Sequence, residues 1–306
     1  MYKLHFNGER SVNIMRGQSI LEVAQSAGIP LLHNCGGNAK CSTCRVLILD
    51  GEESLSSPNQ KELALNAQMQ FPAHVRLACQ TTFIGTSASV KRIIRDKTDM
   101  DIYIGDDIVN QEDIGDEREL SLFFLDIRNF TAFVETNLAF DVIHIVRKIF
   151  LGAQKIIQSR GGTVIETMGD GFYAVFGCEN SVGESVNGAI DAGFKILEEL
   201  ELLNASYFMP HFNQQFEVGI GVHFGIVASG EIKFGNQSHR IIMGLPVNVA
   251  ARLQNATKEL NNNFIISAAA YEHVNHSQTT ARTTLQLKGV SEPIEVVLLG
   301  NKYHLN

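Results

Sequence analysis

Ser121-Leu122-Phe123-Phe124-Leu125-Asp126-Ile127-Arg128-Asn129-Phe130-Thr131 is the stretch on which the fold turns. The run Leu122 to Leu125 is apolar without a break and has the length of a buried strand, so the carboxylate that follows it stands at a sheet edge. Residues 131–159 then place Phe133, Leu138, Phe140, Ile143, Val146 and Ile149 at helical spacing, and Gly161-Gly162 ends the run. Two strands about Gly169-Asp170-Gly171, a helix near 181–203, a strand at 216–226, a helix at 246–260 and final strands follow. This alternation predicts an α+β sandwich, a sheet covered by helices.

Upstream the pattern is shorter. Strands at 3–7 and 11–15 flank a Gly8 turn as a hairpin. Ser19 precedes Ile20, Leu21, Val23 and Ala24 with Glu22 three residues on, the capping-box spacing of a helix start, and Gly28 and Pro30 stop that helix. Strands at 45–50 and 87–90 complete a small strand-rich domain wrapped on one helix, a β-grasp layout. The expected division is 1–95, an acidic linker at 96–119, and 120–306.

The chain has 306 residues, 44% hydrophobic, with a formal charge of −8. The apolar fraction excludes a disordered chain, and no apolar run reaches the roughly 18 residues of a membrane span, so no membrane insertion is expected. The N-terminus lacks the basic head and long apolar core of a signal peptide, and the expected location is cytoplasmic. Residues 1–95 hold 10 basic against 6 acidic side chains, 96–119 hold 2 against 10, and 120–306 hold 13 against 17. The imbalance therefore resides in the linker and says little about partners but marks a boundary; no nucleic acid is expected as a partner.

Four of five cysteines, Cys35, Cys41, Cys44 and Cys79, form a C-x5-C-x2-C pattern with one distant member. The intervening Gly36-Gly37-Asn38-Ala39-Lys40 is small enough to wrap closely around an inorganic core and aim N–H groups at sulfur. Four thiolates suit a 2Fe-2S cluster, two to each iron. A zinc site and two disulfides are the other readings; zinc favours two close cysteine pairs, and disulfides are rare in the cytoplasm. Cys178 reads as a small buried residue.

These residues, with Arg76-Leu77-Ala78-Cys79-Gln80-Thr81, resemble a 2Fe-2S ferredoxin over about the first 95 positions. The five-residue first gap is closer to the adrenodoxin-like branch than to the plant type.

Three stretches of the second domain share a chemical logic. Asp126 ends a strand, Asp170 lies in a glycine-flanked turn, and two carboxylates at a sheet edge can hold Mg2+ or Mn2+ against phosphate. In Gly244-Leu245-Pro246-Val247-Asn248-Val249-Ala250-Ala251-Arg252, Asn248 and Arg252 share one helical face, a polar handle and a charged fork. Each stretch alone has a bland reading as a turn former or a solvated pair.

Together, and in this order, the three stretches resemble the catalytic domain of a class III nucleotidyl cyclase, with Lys288-Gly289-Val290 fitting that family's late turn. The resemblance implies an N-terminal β-grasp ferredoxin domain followed by a ferredoxin-like α/β sandwich. It implies that Asp126, Asp170 and the Ile127 carbonyl hold two metal ions, that Asn248 orients the ribose, and that Arg252 stabilises charge at the α-phosphate. It implies conversion of ATP or GTP to the 3′,5′-cyclic nucleotide and pyrophosphate. Since the family's site lies between two catalytic domains, a head-to-tail homodimer is expected, with an electron donor as a further partner.

By this resemblance the base reader is Glu166, Ile241 holds its usual partner's position, and Lys288 is a further substrate-binding residue. Glu166 stands where adenylate cyclases usually carry Lys, and a carboxylate accepts from guanine N1-H and N2-H2. Ile241 hydrogen-bonds neither base, and Leu245 replaces a common Asp. ATP and GTP both stay open, with ATP first on the resemblance as a whole. A different class of function, an electron-transfer or redox-sensing protein with a degenerate cyclase-like domain, is the alternative.

Overall fold

Strands β1 (Tyr2–Phe6) and β2 (Ser11–Ile14) form the opening hairpin, followed by α1 (Ile20–Ser26), β3 (Arg45–Asp50), α2 (Gln60–Met69), β4 (Val75–Leu77) and β5 (Ser87–Arg92). The computed structural model describes residues 2–93, 116–178, 181–234, 237–274 and 280–304. The chain divides into two compact units, Met1–Ile114 and Gly115–Asn306.

In the first unit the sheet order is β2-β1-β5-β3-β4, with β1 and β5 parallel and the other pairs antiparallel. Helix α1 begins as its sequence dictates. The Glu22 N–H donates to Ser19 Oγ at 3.2 Å and the Ser19 N–H to Glu22 Oε2 at 2.8 Å. Such a cap is worth about 1 kcal/mol. Ile20, Leu21, Val23 and Ala24 are buried in one core with Leu4, Phe6 and Val90 of the sheet.

A second helix, α2, was not foreseen. Its buried residue is not apolar but Glu62, whose two oxygens accept from Arg76 Nε and Nη2, both at 2.9 Å, and from the Leu77 N–H at 2.8 Å. An ion pair with every oxygen engaged replaces the apolar stripe that sequence patterning detects.

The second unit runs β6 (Asp116–Ile127), α3 (Phe130–Thr136), α4 (Ala139–Ser159), β7 (Gly162–Met168), β8 (Gly171–Phe176) and α5 (Val182–Leu203). A π turn (Asn204–Phe208) and α6 (Met209–Phe212) lead to β9 (Val218–Phe234), β10 (Gln237–Met243) and α7 (Leu245–Glu259). The described part closes with β11 (Phe264–Ser267), α8 (Ala268–Tyr271), β12 (Ala281–Leu285) and β13 (Ile294–Leu298). The sheet order is β12-β13-β11-β9-β6-β8-β7, with β10 extending β9 as a hairpin. Its spine is the antiparallel pairing of β6 with β9, from Asp116 opposite Ser229 to Ile127 opposite Val218.

Strand alternation on β6 feeds two cores. Phe123, Leu125 and Ile127 pack with Ile145, Ile149, Ala189 and Ile196 of α4 and α5. Leu120, Leu122 and Phe124 face the other way, with Tyr173, Val175, Ile242 and Ala250. The layered sandwich expected from the apolar run is thus present, helices covering both faces of a sheet.

Two boundaries differ from the sequence reading. The expected linker falls mostly outside the described residues, but its last four, Asp116 to Glu119, already belong to β6 and pair with β9. The single helix expected over 131–159 is two, interrupted at Asn137 and Leu138. There the Asn137 amide donates to the Phe133 carbonyl at 2.8 Å and takes over a helix-end acceptor.

Candidate active site and cluster loop

The cysteine loop folds on left-handed backbone at Gly36 (φ 63°), Gly37 (φ 86°) and Ala39 (φ 56°). A side chain at Gly37 would point at Leu21 and the Cys79 Cβ. The thiols approach as two pairs, Cys35 with Cys41 and Cys44 with Cys79. The Cys35 N–H donates to Cys41 Sγ at 3.4 Å, and the Gln80 amide donates to Cys79 Sγ at 3.2 Å. The hydrogen bond from the Cys44 thiol holds Cys79 down to about 6, whereas that bond and burial drive Cys44 far up. Burial raises Cys35, but the N–H groups of Lys40, Asn38 and Cys41 and the Cys41 thiol outweigh it.

Among the described residues no three His, Cys, Asp or Glu side chains converge on one ion. Four sulfurs in two pairs, on a loop whose N–H groups turn inward, fit a cluster in which each iron takes two thiolates. Cys178 is half-buried beside the core of the second unit that holds Leu122 and Phe124, and takes no part in this group.

In the second unit, the β7–β8 turn brings Asp170 against Asp126. The Ile127 N–H donates to the Asp170 carbonyl at 3.0 Å, and Asp126 stands opposite Gly171 in the β6–β8 register. A side chain at Gly171 would sit 2.7 Å from the Leu125 carbonyl oxygen, so only glycine permits this closeness. Burial, then the charge of Asp170, push the Asp126 carboxyl up to about 6, against the pull of Arg128. Asp126 Oδ1 is buried with no hydrogen-bond partner. Two adjacent carboxylates, one with an orphaned oxygen, fit a divalent cation.

Arg128 completes this corner, and sequence reasoning assigned it no role. Its Nη1 lies 3.9 Å from Asp126 Oδ2, its Nε donates to Tyr303 Oη at 3.1 Å, and its Nη2 donates to Thr257 Oγ1 at 2.9 Å and to the Gln254 carbonyl at 3.2 Å. The motif carried the Arg in plain view. Nothing marked its partner, 175 residues away.

Helix α7 lies directly on β9. Side chains at Gly219, Gly221 and Gly225 would collide with Arg128 and Thr257, with the Gln254 and Ala250 backbone, and with Pro246 respectively. Asn248 and Arg252 are both exposed on this helix, and among the described residues neither side chain forms a hydrogen bond or ion pair. The structure thus brings Asp126 and Asp170 together and leaves Asn248 and Arg252 facing outward within a single chain.

Glu166 is exposed on β7 opposite Tyr173, whose hydroxyl is raised by burial and then by that carboxylate. Ile241 is half-exposed on β10 opposite Gly230, its neighbour Ile242 filling the core. Lys288 is exposed in the turn after β12, between buried Leu287 and left-handed Gly289.

The profile of the adenylate and guanylate cyclase catalytic domain matches residues 113–300, and that of the 2Fe-2S iron-sulfur cluster binding domain matches residues 4–83. A terminal-differentiation-specific adenylate cyclase of Dictyostelium discoideum is 26% identical over 199 residues, covering 64% of this chain and 9% of its own. An adenylate cyclase of Anabaena cylindrica is 24% identical over 186 residues, covering 58% and 36%. The chain spans little more than a third, or less, of the length of these relatives.

Among solved structures, the guanylyl cyclase Cya2 superimposes with a TM-score of 0.56 at 25% identity, covering 62% of this chain and 96% of that one. A bacterial light-regulated adenylyl cyclase gives 0.55 at 26% identity, covering 62% and 55%. The chain therefore belongs to the adenylate and guanylate cyclase family, with a 2Fe-2S iron-sulfur cluster binding domain ahead of its catalytic domain.

Proposed function

We propose that the chain converts ATP, or GTP, to the 3′,5′-cyclic nucleotide and pyrophosphate as a head-to-tail homodimer whose turnover responds to a 2Fe-2S cluster in the first unit. The observation that carries the reading is the meeting of Asp126 and Asp170 with one buried carboxylate oxygen unpartnered.

Asp126 and Asp170, with the Ile127 carbonyl, would hold Mg2+ or Mn2+. Bound there, two divalent ions would make the 3′-hydroxyl a better nucleophile and neutralise the triphosphate. The 3′-oxygen forms its bond to the α-phosphorus as the bond to pyrophosphate breaks, and the hydroxyl proton leaves to solvent. Arg252 offers its guanidinium to the charge that grows at the α-phosphate, and Asn248 hydrogen-bonds the ribose. Both side chains face outward and unpaired, which supports their use on a site completed by a second copy. Glu166 and Ile241 are assigned to the base and Lys288 to the substrate more broadly; Glu166 accepts hydrogen bonds and favours guanine, whereas the curated relatives above are named adenylate cyclases.

The test is anaerobic purification, a visible spectrum, and assays of ATP and GTP with Mn2+ before and after reduction. Cyclic nucleotide formation that changes with cluster oxidation state supports the whole proposal. Equal turnover in oxidised, reduced and cluster-free protein removes redox control. No product from either nucleotide favours the electron-transfer reading. A Glu166→Lys variant should move the ATP/GTP rate ratio about tenfold towards ATP; an unchanged ratio removes Glu166 from the base pocket.

A further inference from the structure

Gln80 follows Cys79 directly, and its side-chain amide is engaged at both ends. Its Nε2 donates to Cys79 Sγ at 3.2 Å and to the Gly37 carbonyl at 2.7 Å, while its Oε1 accepts from Asn59 Nδ2 at 2.9 Å. The three contacts fix which way the amide points. With an acceptor carbonyl and a sulfur on one side and an N–H donor on the other, rotating the amide by 180° would set oxygen against the Gly37 carbonyl and NH2 against NH2. Asn59 is itself anchored, because its Oδ1 accepts the Glu62 N–H at 3.0 Å and caps α2.

We infer that Gln80 is a positioning residue that sets the reduction potential of the cluster through Cys79, and that Asn59 holds it in the donating orientation. The inference rests on the reading of Cys35, Cys41, Cys44 and Cys79 as 2Fe-2S ligands. One-electron reduction adds negative charge to the cluster and its sulfurs. An N–H aimed at a cysteine sulfur stabilises the reduced form more than the oxidised one and raises the potential. The relay also ties that sulfur to the first turn of α2, an element otherwise secured by the Glu62–Arg76 pair.

Gln80→Leu keeps the bulk and removes the donor. Asn59→Ser keeps an oxygen cap for α2 and removes the amide that orients Gln80. The full-length protein, purified without oxygen, is titrated with dithionite and redox mediators while the visible absorbance of the cluster is followed. Gln80→Leu should shift the one-electron equilibrium about fivefold towards the oxidised form, equivalent to about 40 mV more negative. Asn59→Ser should move it the same way by a smaller factor. A potential unchanged in Gln80→Leu, with cluster content equal to that of the parent, overturns the inference. A shift in Gln80→Leu with none in Asn59→Ser leaves Gln80 its role and overturns that of Asn59. A parent protein with no 2Fe-2S absorbance overturns the cluster reading itself, an outcome separate from either. Thermal unfolding of both variants separates a loosened α2 from an altered sulfur, because loss of the cap lowers the melting temperature without moving the potential.

Discussion

Arg128 Nη1 stands 3.9 Å from Asp126 Oδ2 while the rest of the same guanidinium holds Tyr303, Gln254 and Thr257. One buried cation thus joins the carboxylate at the end of β6 to α7 and to the C-terminal segment. Replacing it takes a charged donor from the Gln254 carbonyl, the Thr257 hydroxyl and the Tyr303 hydroxyl and leaves the half-buried Asp126 without its nearby cation. Arg128→Ala should destabilise the catalytic unit by about 3 kcal/mol, as truncating one member of a buried polar group does. Urea unfolding followed by circular dichroism measures it, and a midpoint equal to that of the parent would refute the bracket.

Asp126 and Asp170 repel one another, and Asp126 is raised by that repulsion on top of burial. Asp170→Asn relieves the repulsion. The variant should be as stable as the parent or up to about 1 kcal/mol more stable, yet lose cyclase turnover by at least about 100-fold. Measuring melting temperature and initial rate on one preparation checks both; near-parental turnover would remove Asp170 from the site.

His223 lies on β9 with its ring nitrogen 2.7 Å from Ser267 Oγ, and burial pushes it down to about 4. The fold therefore favours the neutral ring. In the unfolded chain the imidazole takes up its proton near pH 6.5, so the unfolded state binds more protons between pH 6.5 and 4. Stability is complete above pH 6.5 and is lost as pH falls through that window, by about 3 kcal/mol in all. His223→Gln should retain a bond to Ser267 and flatten this slope. If parent and variant lose melting temperature in parallel between pH 7 and 5, the assignment is wrong.

Gly221 faces the backbone of α7, where an added Cβ would lie 2.2 Å from the Gln254 nitrogen and 2.7 Å from the Ala250 carbonyl oxygen. Gly221→Ala should destabilise by about 1–3 kcal/mol. It should also lower kcat at temperatures where the protein is still folded, because the displaced helix carries Asn248 and Arg252. Full turnover in a folded variant would show that the position of α7 is not critical.

The legible parts of this molecule were those whose chemistry is local. Ser19 and Glu22 announce α1 because a cap is made within four residues, and Asp126 announces a sheet edge because the run before it is wholly apolar. Helix α2 escaped because Glu62 is buried by means of Arg76, and a salt bridge leaves no periodic apolar trace. The break at Asn137 escaped because apolar residues continue through it, and a side-chain amide makes the interruption. Tyr303 and Gln80 escaped for a related reason: each hydrogen-bonds to a segment far away in sequence, Tyr303 to Arg128 and Gln80 to Gly37 and Asn59.

The bare face of β9 has a mechanical consequence. Helices usually ride on a cushion of interlocking side chains that can repack when the helix tilts, but at Gly221 the strand meets the backbone of α7 at Gln254 and Ala250 with no side chain between them. Backbone against backbone has almost no travel in the direction of compression. A push on this helix at Gly221 therefore bears directly on β9, which pairs over twelve residues with the strand that carries Asp126. At that one point compression of the helix has no side chain to repack, so it meets the strand as displacement.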